Sequence, residues 1–462
     1  MAKLNSSASN MLLSLTAVIP IFFLLTLFLV ALAWSGLTDS SFIMSDEIRI
    51  SSKDINCDYF SEDYTRRWYN FKYPKLIIAE DQPPVAVLID ENTKKLVFVE
   101  IADQGPSITN IAQGYDEKNL FTNWPIIFMK ENKIYLAFLI NTQSDKKRQY
   151  GVRLFLLDKG NNKLHLVRET RLANIEVIND FSKSDSFLSG IYPYDDGKGR
   201  FMLVGTYTKS YFHPLTLIAG DQISYNKNFS LIWEDDKIGD YQTIEEKGWF
   251  GAEKRAYAIS DSGIANSSWV RSTSRVSISA KHNETVCYSQ NKDGTRWTKP
   301  LELYSVKKTN VISHVRDLSL STYGTSAFLL WQDIENGFYF AEVKDGALHE
   351  QTRISDLKPL PPEKTEYIEP LFGAPGLKIT VDHKGNVYAL WVLNDQWKYK
   401  IFVKGRIKGK WTEANVVSSG PGVAKLPDMK VDKQGVIHIT YLKETPKEKF
   451  ACYYLKLEPA RR

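Results

Sequence analysis

The sequence predicts an all-β fold, a β-propeller, from three observations. After residue 45, short apolar and aromatic runs bounded by turn residues recur to the end of the chain, and no segment keeps a helical period. Aromatic residues make up 13% of the 462 residues, which favours strands. Strand–turn–strand segments of similar sequence also recur: Trp331, Trp391 and Tyr441 follow one another at steps of 60 and 50 residues.

The repeat is clearest in the C-terminal half. "LKITVDHKGNVYALW" (377–391) aligns with "DMKVDKQGVIHITY" (428–441), and "LSLSTYGTSAFLLW" (318–331) fits the same frame more loosely. Each reads as a strand, a tight turn and a second strand that ends in an aromatic residue. Two further strands follow Trp391, in "KYKIFVKG" and "KGKWTEANVV". A four-stranded unit that recurs every 50 to 60 residues is typical of a propeller blade.

The number of blades follows from the length of the repeated region. Residues 46–458 would make seven blades of 59 residues or six of 69. The observed steps favour seven, and six stays open because the units at about 74–103, 124–170 and 172–235 are less regular. The last unit supplies only three strands, so we expect a strand within residues 46–52 to take the fourth place and to cover an otherwise open edge.

A membrane segment precedes the propeller. Residues 11–34 carry no charge over 24 positions, and about 20 apolar residues cross a bilayer as a helix. Lys3 precedes the run and Asp39 follows it, which predicts a single-pass protein with its N-terminus in the cytoplasm and the remainder outside. The alternative is a signal peptide cleaved near Ala33, although the run is longer than an ordinary signal sequence.

The sequence therefore predicts four parts, which are a cytoplasmic N-terminus at 1–10, an anchor at 11–34, a linker at 35–45 and a propeller domain at 46–462. Its 59 basic residues are interspersed with 54 acidic ones, a pattern that argues against nucleic-acid binding.

The cysteines and the motifs predict no cofactor and no metal site. Cys57, Cys287 and Cys452 match no metal-ligand spacing, and they leave open one disulfide or three buried thiols.

One stretch, "SQNKDGTRWTKP" (289–300), resembles the Asp-box, or BNR repeat, of sialidase-like propellers, whose pattern is Ser-x-Asp-x-Gly-x-x-Trp. Gly294 and Trp297 keep that spacing, whereas Ser289 lies one residue too far from the glycine and Asp293 one too near. The resemblance implies a degenerate turn between the third and fourth strands of a blade, with a structural role. The glycine allows a positive φ, and the aromatic ring packs the turn onto the blade.

The resemblance also implies a test of activity. A sialidase would carry an Arg-Ile-Pro motif and three arginines that clamp the substrate carboxylate; the motif is absent, so no catalytic residue is assigned. The loops at the opposite ends of the blades are predicted to bind a ligand, through His314, Arg316, Asp317, Asp333, Asp395 and Trp397. We therefore expect a module that binds a glycan or a protein. The alternative is a carbohydrate-active enzyme, either a glycoside hydrolase or a polysaccharide lyase.

Overall fold

The structure is a computed structural model. It describes residues 42–460 except 54, 56, 58–73, 79–81, 91, 93–94, 111–125, 131–132, 145–146, 159, 162, 179–184, 196–200, 213–221, 235–236, 239–241, 246–248, 273–282, 293–295, 308–314, 334, 356–375, 396–397, 419, 421 and 445–449. Within these residues no helix is long and apolar enough to cross a membrane. The predicted anchor at 11–34 lies outside them.

The described secondary structure consists of β-strands. In chain order the first are β1 (Phe42–Met44), β2 (Ile48–Arg49), β3 (Lys75–Ile77), β4 (Val85–Asp90), β5 (Lys95–Ala102), β6 (Gly105–Asn110), β7 (Ile126–Lys130), β8 (Lys133–Ser144), β9 (Lys147–Asp158) and β10 (Lys163–Ile178). They are followed by β11 (Asp185–Asp195), β12 (Phe201–Phe212), β13 (Gln222–Glu234), β14 (Lys237–Ile238), β15 (Gln242–Glu245), β16 (Trp249–Ile259), β17 (Ala265–Ser272), β18 (Asn283–Asn291) and β19 (Leu301–Lys307).

The C-terminal part continues the series. Its strands are β20 (Val315–Tyr323), β21 (Ser326–Asp333), β22 (Gly337–Lys344), β23 (Ala347–Ser355), β24 (Lys378–Val381), β25 (Val387–Asp395), β26 (Lys398–Ile407), β27 (Lys410–Trp411), β28 (Asn415–Val416), β29 (Ala424–Val431), β30 (Ile437–Lys443) and β31 (Ala451–Pro459).

The chain divides into two compact units, residues 1–43 with 459–462 and residues 44–458. In the second unit the described strands form antiparallel sheets, and all but the last of these are built from strands that are consecutive in the chain. Sheet 1 holds β3–β6, sheet 2 β7–β10, sheet 3 β11–β15, sheet 4 β16–β19, sheet 5 β20–β23, sheet 6 β24–β28 and sheet 7 β29–β31 together with β2. This confirms the all-β prediction for the described residues, and the repeated, mostly four-stranded sheets are consistent with a propeller.

The core lies between neighbouring sheets. One apolar cluster joins Phe328 and Phe340 of sheet 5 to Ile379 and Trp391 of sheet 6. Other clusters join sheet 4 to sheet 5, and sheet 7 to sheets 1 and 2. Sheet 5 packs one face against sheet 4 and the other against sheet 6, so it could not bury its apolar side chains alone.

The predicted strand–turn–strand repeat is present, with a shared turn chemistry. Gly385 and Gly435 adopt φ values of 79° and 86°, in the left-handed region that glycine tolerates best. The Asp382 Oδ1 accepts from the amides of Lys384 and Asn386 at 2.9 and 2.8 Å, and this holds the turn closed. The identical Asp-x-x-Gly spacing in both repeats therefore fixes the register of both hairpins.

The strand predicted within residues 46–52 is confirmed. β2 pairs antiparallel with β31, with Ile48 opposite Tyr454. The Glu47 carboxylate adds side-chain contacts: it accepts from the Tyr441 hydroxyl, and the Lys443 Nζ lies 2.6 Å from its Oε2. Residues near the start of the described chain thus complete the last sheet in the sequence.

We predict that loss of this strand destabilises the fold. A chain that begins at residue 69 lacks β2 together with the buried side chains of Ile50 and Ile55. Burial of each large aliphatic side chain contributes roughly 1.5–3 kcal/mol, so the melting temperature should fall by roughly 5 °C or more relative to a chain that begins at residue 37. Differential scanning calorimetry of the two chains measures it, and equal melting temperatures would show that β2 does not close the sheet.

Candidate functional site

Four sheets carry a polar residue at one shared place on their first strand: Ser319, Lys378, Asp428 and Lys75. In sheets 5, 6 and 7 this residue pairs with the residue that directly precedes the aromatic of the repeat, namely Leu330, Leu390 and Thr440. In sheet 1, Lys75 pairs with Val87. The first strands that carry these residues are neighbours in the fold: β20 contacts β24, β24 contacts β29, and β29 contacts β3.

Two hydrogen bonds show that Ser319 and Asp428 occupy equivalent positions in their sheets. The Ser319 Oγ accepts from the backbone N–H of Ile379, the residue after Lys378, at 3.0 Å. The Asp428 Oδ2 accepts from the backbone N–H of Leu76, the residue after Lys75, at 2.9 Å. In both cases a side chain of one first strand satisfies a backbone amide on the first strand of the next sheet.

Asp428 is the centre of a charged group. Its carboxylate is buried, and the Lys378 Nζ lies 3.2 Å from Oδ1. Burial by itself would raise the carboxyl pKa, but the positive charges of Lys378, Lys75 and Lys430, with the Leu76 amide, hold the pKa of Asp428 far below its usual range. We call Lys75, Lys378, Asp428 and Lys430 the lysine–aspartate cluster.

The pKa of the Lys75 ammonium group is strongly lowered. Burial, and then the positive charges of Lys378 and Lys430, lower the pKa of its ammonium group from 10.5 to about 7, against the opposing effect of Asp428. Near neutral pH this side chain is therefore divided between an ammonium ion and a neutral amine. Perturbed groups of this kind concentrate at functional sites.

β29 is irregular just before Asp428. Its pairing with β30 shifts between Lys425 and Asp428, and Leu426 adopts a φ of 49°, which a branched apolar residue rarely takes. The buried Lys425 Nζ lies 5.2 Å from the centroid of the Tyr399 ring and 5.6 Å from that of Phe450. The bulge therefore directs one lysine towards two aromatic rings and leaves Asp428 facing Leu76.

The structure describes part of the ligand-binding loop predicted from sequence. His314 and Trp397 lie outside the described residues, and only the backbone of Arg316 and Asp395 is described, in β20 and β25. Asp317 accepts from the adjacent Leu318 amide at 2.9 Å. That proposed set accordingly stays a prediction.

Asp333, the remaining member, is fully buried at the end of β21. Its carboxylate accepts from the Tyr304 hydroxyl at 2.6 Å and from the amides of Glu335 and Asn336 at 2.9 Å each. These contacts hold the turn into β22 and join it to Tyr304 of sheet 4.

The Asp-box-like stretch joins β18 to β19, the third and fourth strands of sheet 4. The Ser289 Oγ donates to the Thr298 carbonyl at 2.8 Å, and Trp297 packs beside Trp269 and Cys287. Asp293 and Gly294 lie outside the described residues. The packing of Ser289 and Trp297 fits a structural role, and the Asp-box itself stays a prediction.

No member of the lysine–aspartate cluster was predicted from the sequence. The sequence does contain a long-range signal for two of them. The alignment of 377–391 with 428–441 places Lys378 and Asp428 at one repeat position, where opposite charges on neighbouring strands can meet. Lys75 lies in a three-residue strand that the repeat barely marks. Among the described residues no group of three or more His, Cys, Asp or Glu side chains is placed to hold a metal ion.

The sequence matches neither a protein-family model nor a curated protein. In structure the chain is similar to the polysaccharide lyase Uly1, with a TM-score of 0.50, 10% identity, and coverage of 90% of this chain and 99% of that one. An α-L-arabinanase from Penicillium chrysogenum has a TM-score of 0.44 and 11% identity, with coverage of 76% of this chain and 94% of that one. The NanB sialidase from Streptococcus pneumoniae has a TM-score of 0.40 and 8% identity, with coverage of 81% of this chain and 83% of that one. At these identities the likeness is one of fold.

The shifted pKa of Lys75 predicts a pH dependence. Between pH 7 and about 10 the unfolded chain binds a proton that the folded chain has lost, so the free energy of unfolding should rise with pH through this group. Lys75→Met should remove that part of the rise. Urea unfolding of the full chain at several pH values measures it, with the exposed Lys410→Met as the matched control. An unchanged slope in Lys75→Met would contradict the burial of this ammonium group.

Proposed function

We propose that this protein is a membrane-anchored, extracytoplasmic β-propeller of seven blades that binds an acidic glycan without turning it over. Contacts between first strands support the ring: β3 contacts β7, and the series continues through β11, β16, β20, β24 and β29. The contact of β29 with β3 then returns the series to its start. In such a ring the first strands surround the central axis, so the lysine–aspartate cluster would line the centre.

The observation that carries the binding function is the excess of positive charge in the cluster. The positive charges of three lysines act on the Asp428 carboxylate, and that carboxylate is already paired with Lys378. An ammonium group binds carboxylate or sulfate through charge-assisted hydrogen bonds, and a positively charged recess raises the local concentration of an anion. A glycan that carries either group fits this chemistry better than a neutral one.

Binding is favoured over hydrolysis because Asp428 is a poor general acid. Glycoside hydrolysis needs a carboxylic acid whose pKa is raised so that it can protonate the leaving oxygen. The neighbouring lysines and the Leu76 amide have the opposite effect on Asp428, which keeps it ionised at neutral pH. The carboxylate therefore positions the lysines and accepts hydrogen bonds.

We expect Lys430→Met to weaken binding of uronate-containing or sulfated oligosaccharides roughly tenfold, because one charge-assisted contact is lost. Lys430 is exposed, so the substitution should leave the fold intact, and Lys410→Met should bind like the natural chain. Calorimetric titration of the full chain in detergent with acidic and neutral oligosaccharides measures both. Equal affinity for acidic and neutral sugars would exclude the cluster as the binding site.

The paired substitution Arg316→Ala with Trp397→Ala tests the loop predicted from sequence on the same ligands.

A polysaccharide lyase is the second candidate, and the low pKa of Lys75 favours it. A neutral amine at pH 7 can remove the proton beside a uronate carboxylate, the step that begins β-elimination. Incubation of the full chain with uronate polymers would then produce unsaturated sugar ends, and Lys75→Met would abolish them. Binding without unsaturated products supports the binding module, and products that depend on Lys75 would replace it with the enzyme.

We also propose that residues 11–34 remain as the anchor, because the uncharged run exceeds an ordinary signal sequence and Lys3 and Asp39 orient it. Cells that express the full chain should keep the protein in the membrane fraction with its N-terminus intact. N-terminal sequencing after fractionation measures this. Soluble protein that begins near Trp34 would instead establish cleavage.

A further inference from the structure

Two cysteines lie where sheet 7 meets sheet 1. Cys57 and Cys452 are both fully buried thiols, and both belong to one apolar cluster with Tyr454 of sheet 7 and Val87 of sheet 1. Cys287 is a buried thiol in sheet 4, packed with Trp269 and Trp297. The three cysteines are thus divided into one close pair and one distant residue.

Backbone hydrogen bonds hold the segment that precedes Cys57 against Cys452. The Ile50 amide donates to the Cys452 carbonyl at 2.9 Å, and the Cys452 amide donates to the Ser51 Oγ at 2.9 Å. A turn follows, in which the Ile55 amide donates to the Ser52 carbonyl at 3.2 Å. Two residues later Cys57 enters the same apolar cluster as Cys452.

The thiol groups of Cys57 and Cys452 also lie within electrostatic range of each other. Burial raises the pKa of the Cys452 thiol well above its usual value, and a negative charge on Cys57 raises it further. That second effect acts only over a limited distance, so the two thiol groups lie in the same part of the cluster.

We propose that Cys57 and Cys452 form a disulfide bond that fixes the segment after β2 to β31 and so locks sheet 7 closed. Glutathione disulfide is a sufficient oxidant. One cysteine thiolate attacks it and releases a glutathione thiolate, and the second cysteine thiolate then attacks the mixed disulfide and releases another. Overall the two cysteines lose two protons and two electrons, and one glutathione disulfide becomes two glutathione thiols.

Burial determines when this bond forms. The thiolate is the attacking species, and both thiols are withdrawn from solvent in the folded chain. Exchange therefore takes place during folding or while Ile50 and Ser51 are detached from Cys452. Once formed, the bond would be protected from reduction by the same burial. It would also restrict the unfolded chain over the long loop between residues 57 and 452, which raises stability.

The test uses the full chain in detergent, refolded from urea in parallel with glutathione disulfide or with reduced glutathione. After the remaining thiols are alkylated, peptide mapping by mass spectrometry should find residue 57 linked to residue 452 and Cys287 alkylated. The oxidised chain should melt roughly 3–6 °C above the reduced one. Cys287→Ala is the matched control, and it should keep both the linked peptide and the difference in melting temperature.

Cys57→Ser should lose the linked peptide and the difference between oxidised and reduced protein. The mapping of the natural chain needs no variant, so it decides the result even if Cys57→Ser does not fold. Absence of the 57–452 peptide, or a bond that involves Cys287, would overturn the proposal. A linked chain that melts at the temperature of the reduced one would overturn the claim that the bond locks the sheet.

Discussion

The hydrogen bond from the Leu76 amide to the Asp428 carboxylate joins the last sheet of the chain to the first. An amide and a carboxylate buried without partners would each cost several kcal/mol, roughly 1–3 for the amide and more for the charge. Here each satisfies the other, and Lys378 supplies the countercharge at 3.2 Å. The apolar cluster of Leu76 and Val87 with Leu442 and Tyr454 forms around this contact. The junction between the last sheet and the first therefore contains a polar contact inside an apolar cluster.

The last sheet also depends on β2, a strand from the other end of the sequence. β31 would otherwise expose one edge of backbone amides and carbonyls, which invites pairing with another chain. β2 covers part of that edge, and Glu47 holds the strand through Tyr441 and Lys443. Ile50 and Ile55 also fill the junction between sheets 7 and 1. One segment thus satisfies a sheet edge and packs the junction that Asp428 spans.

The sequence predicted those features whose signal is local. Asp382 and Gly385, with their equivalents at Asp432 and Gly435, mark two hairpins because a tight turn needs those residue types at that spacing. The need for a strand from residues 46–52 followed from counting strands in the last repeat. The lysine–aspartate cluster was missed because its members come from strands that are distant in sequence: Lys75 and Lys378 are more than 300 residues apart. Only the packing of first strand against first strand brings them together, and no spacing rule expresses that.

Ser319 and Asp428 make the same type of hydrogen bond, but only Asp428 carries a charge. At one repeat position both side chains accept from the next first strand, at 3.0 and 2.9 Å, and the serine hydroxyl does so without charge. Closing a sheet onto its neighbour therefore requires an acceptor and no carboxylate. A buried charge also carries a desolvation cost that a hydroxyl avoids. The lysines around Asp428 compensate that cost, but they add positive charge beyond what one carboxylate neutralises. Because an uncharged acceptor serves at the same repeat position in sheet 5, the surplus charge around Asp428 supports the proposed anionic ligand.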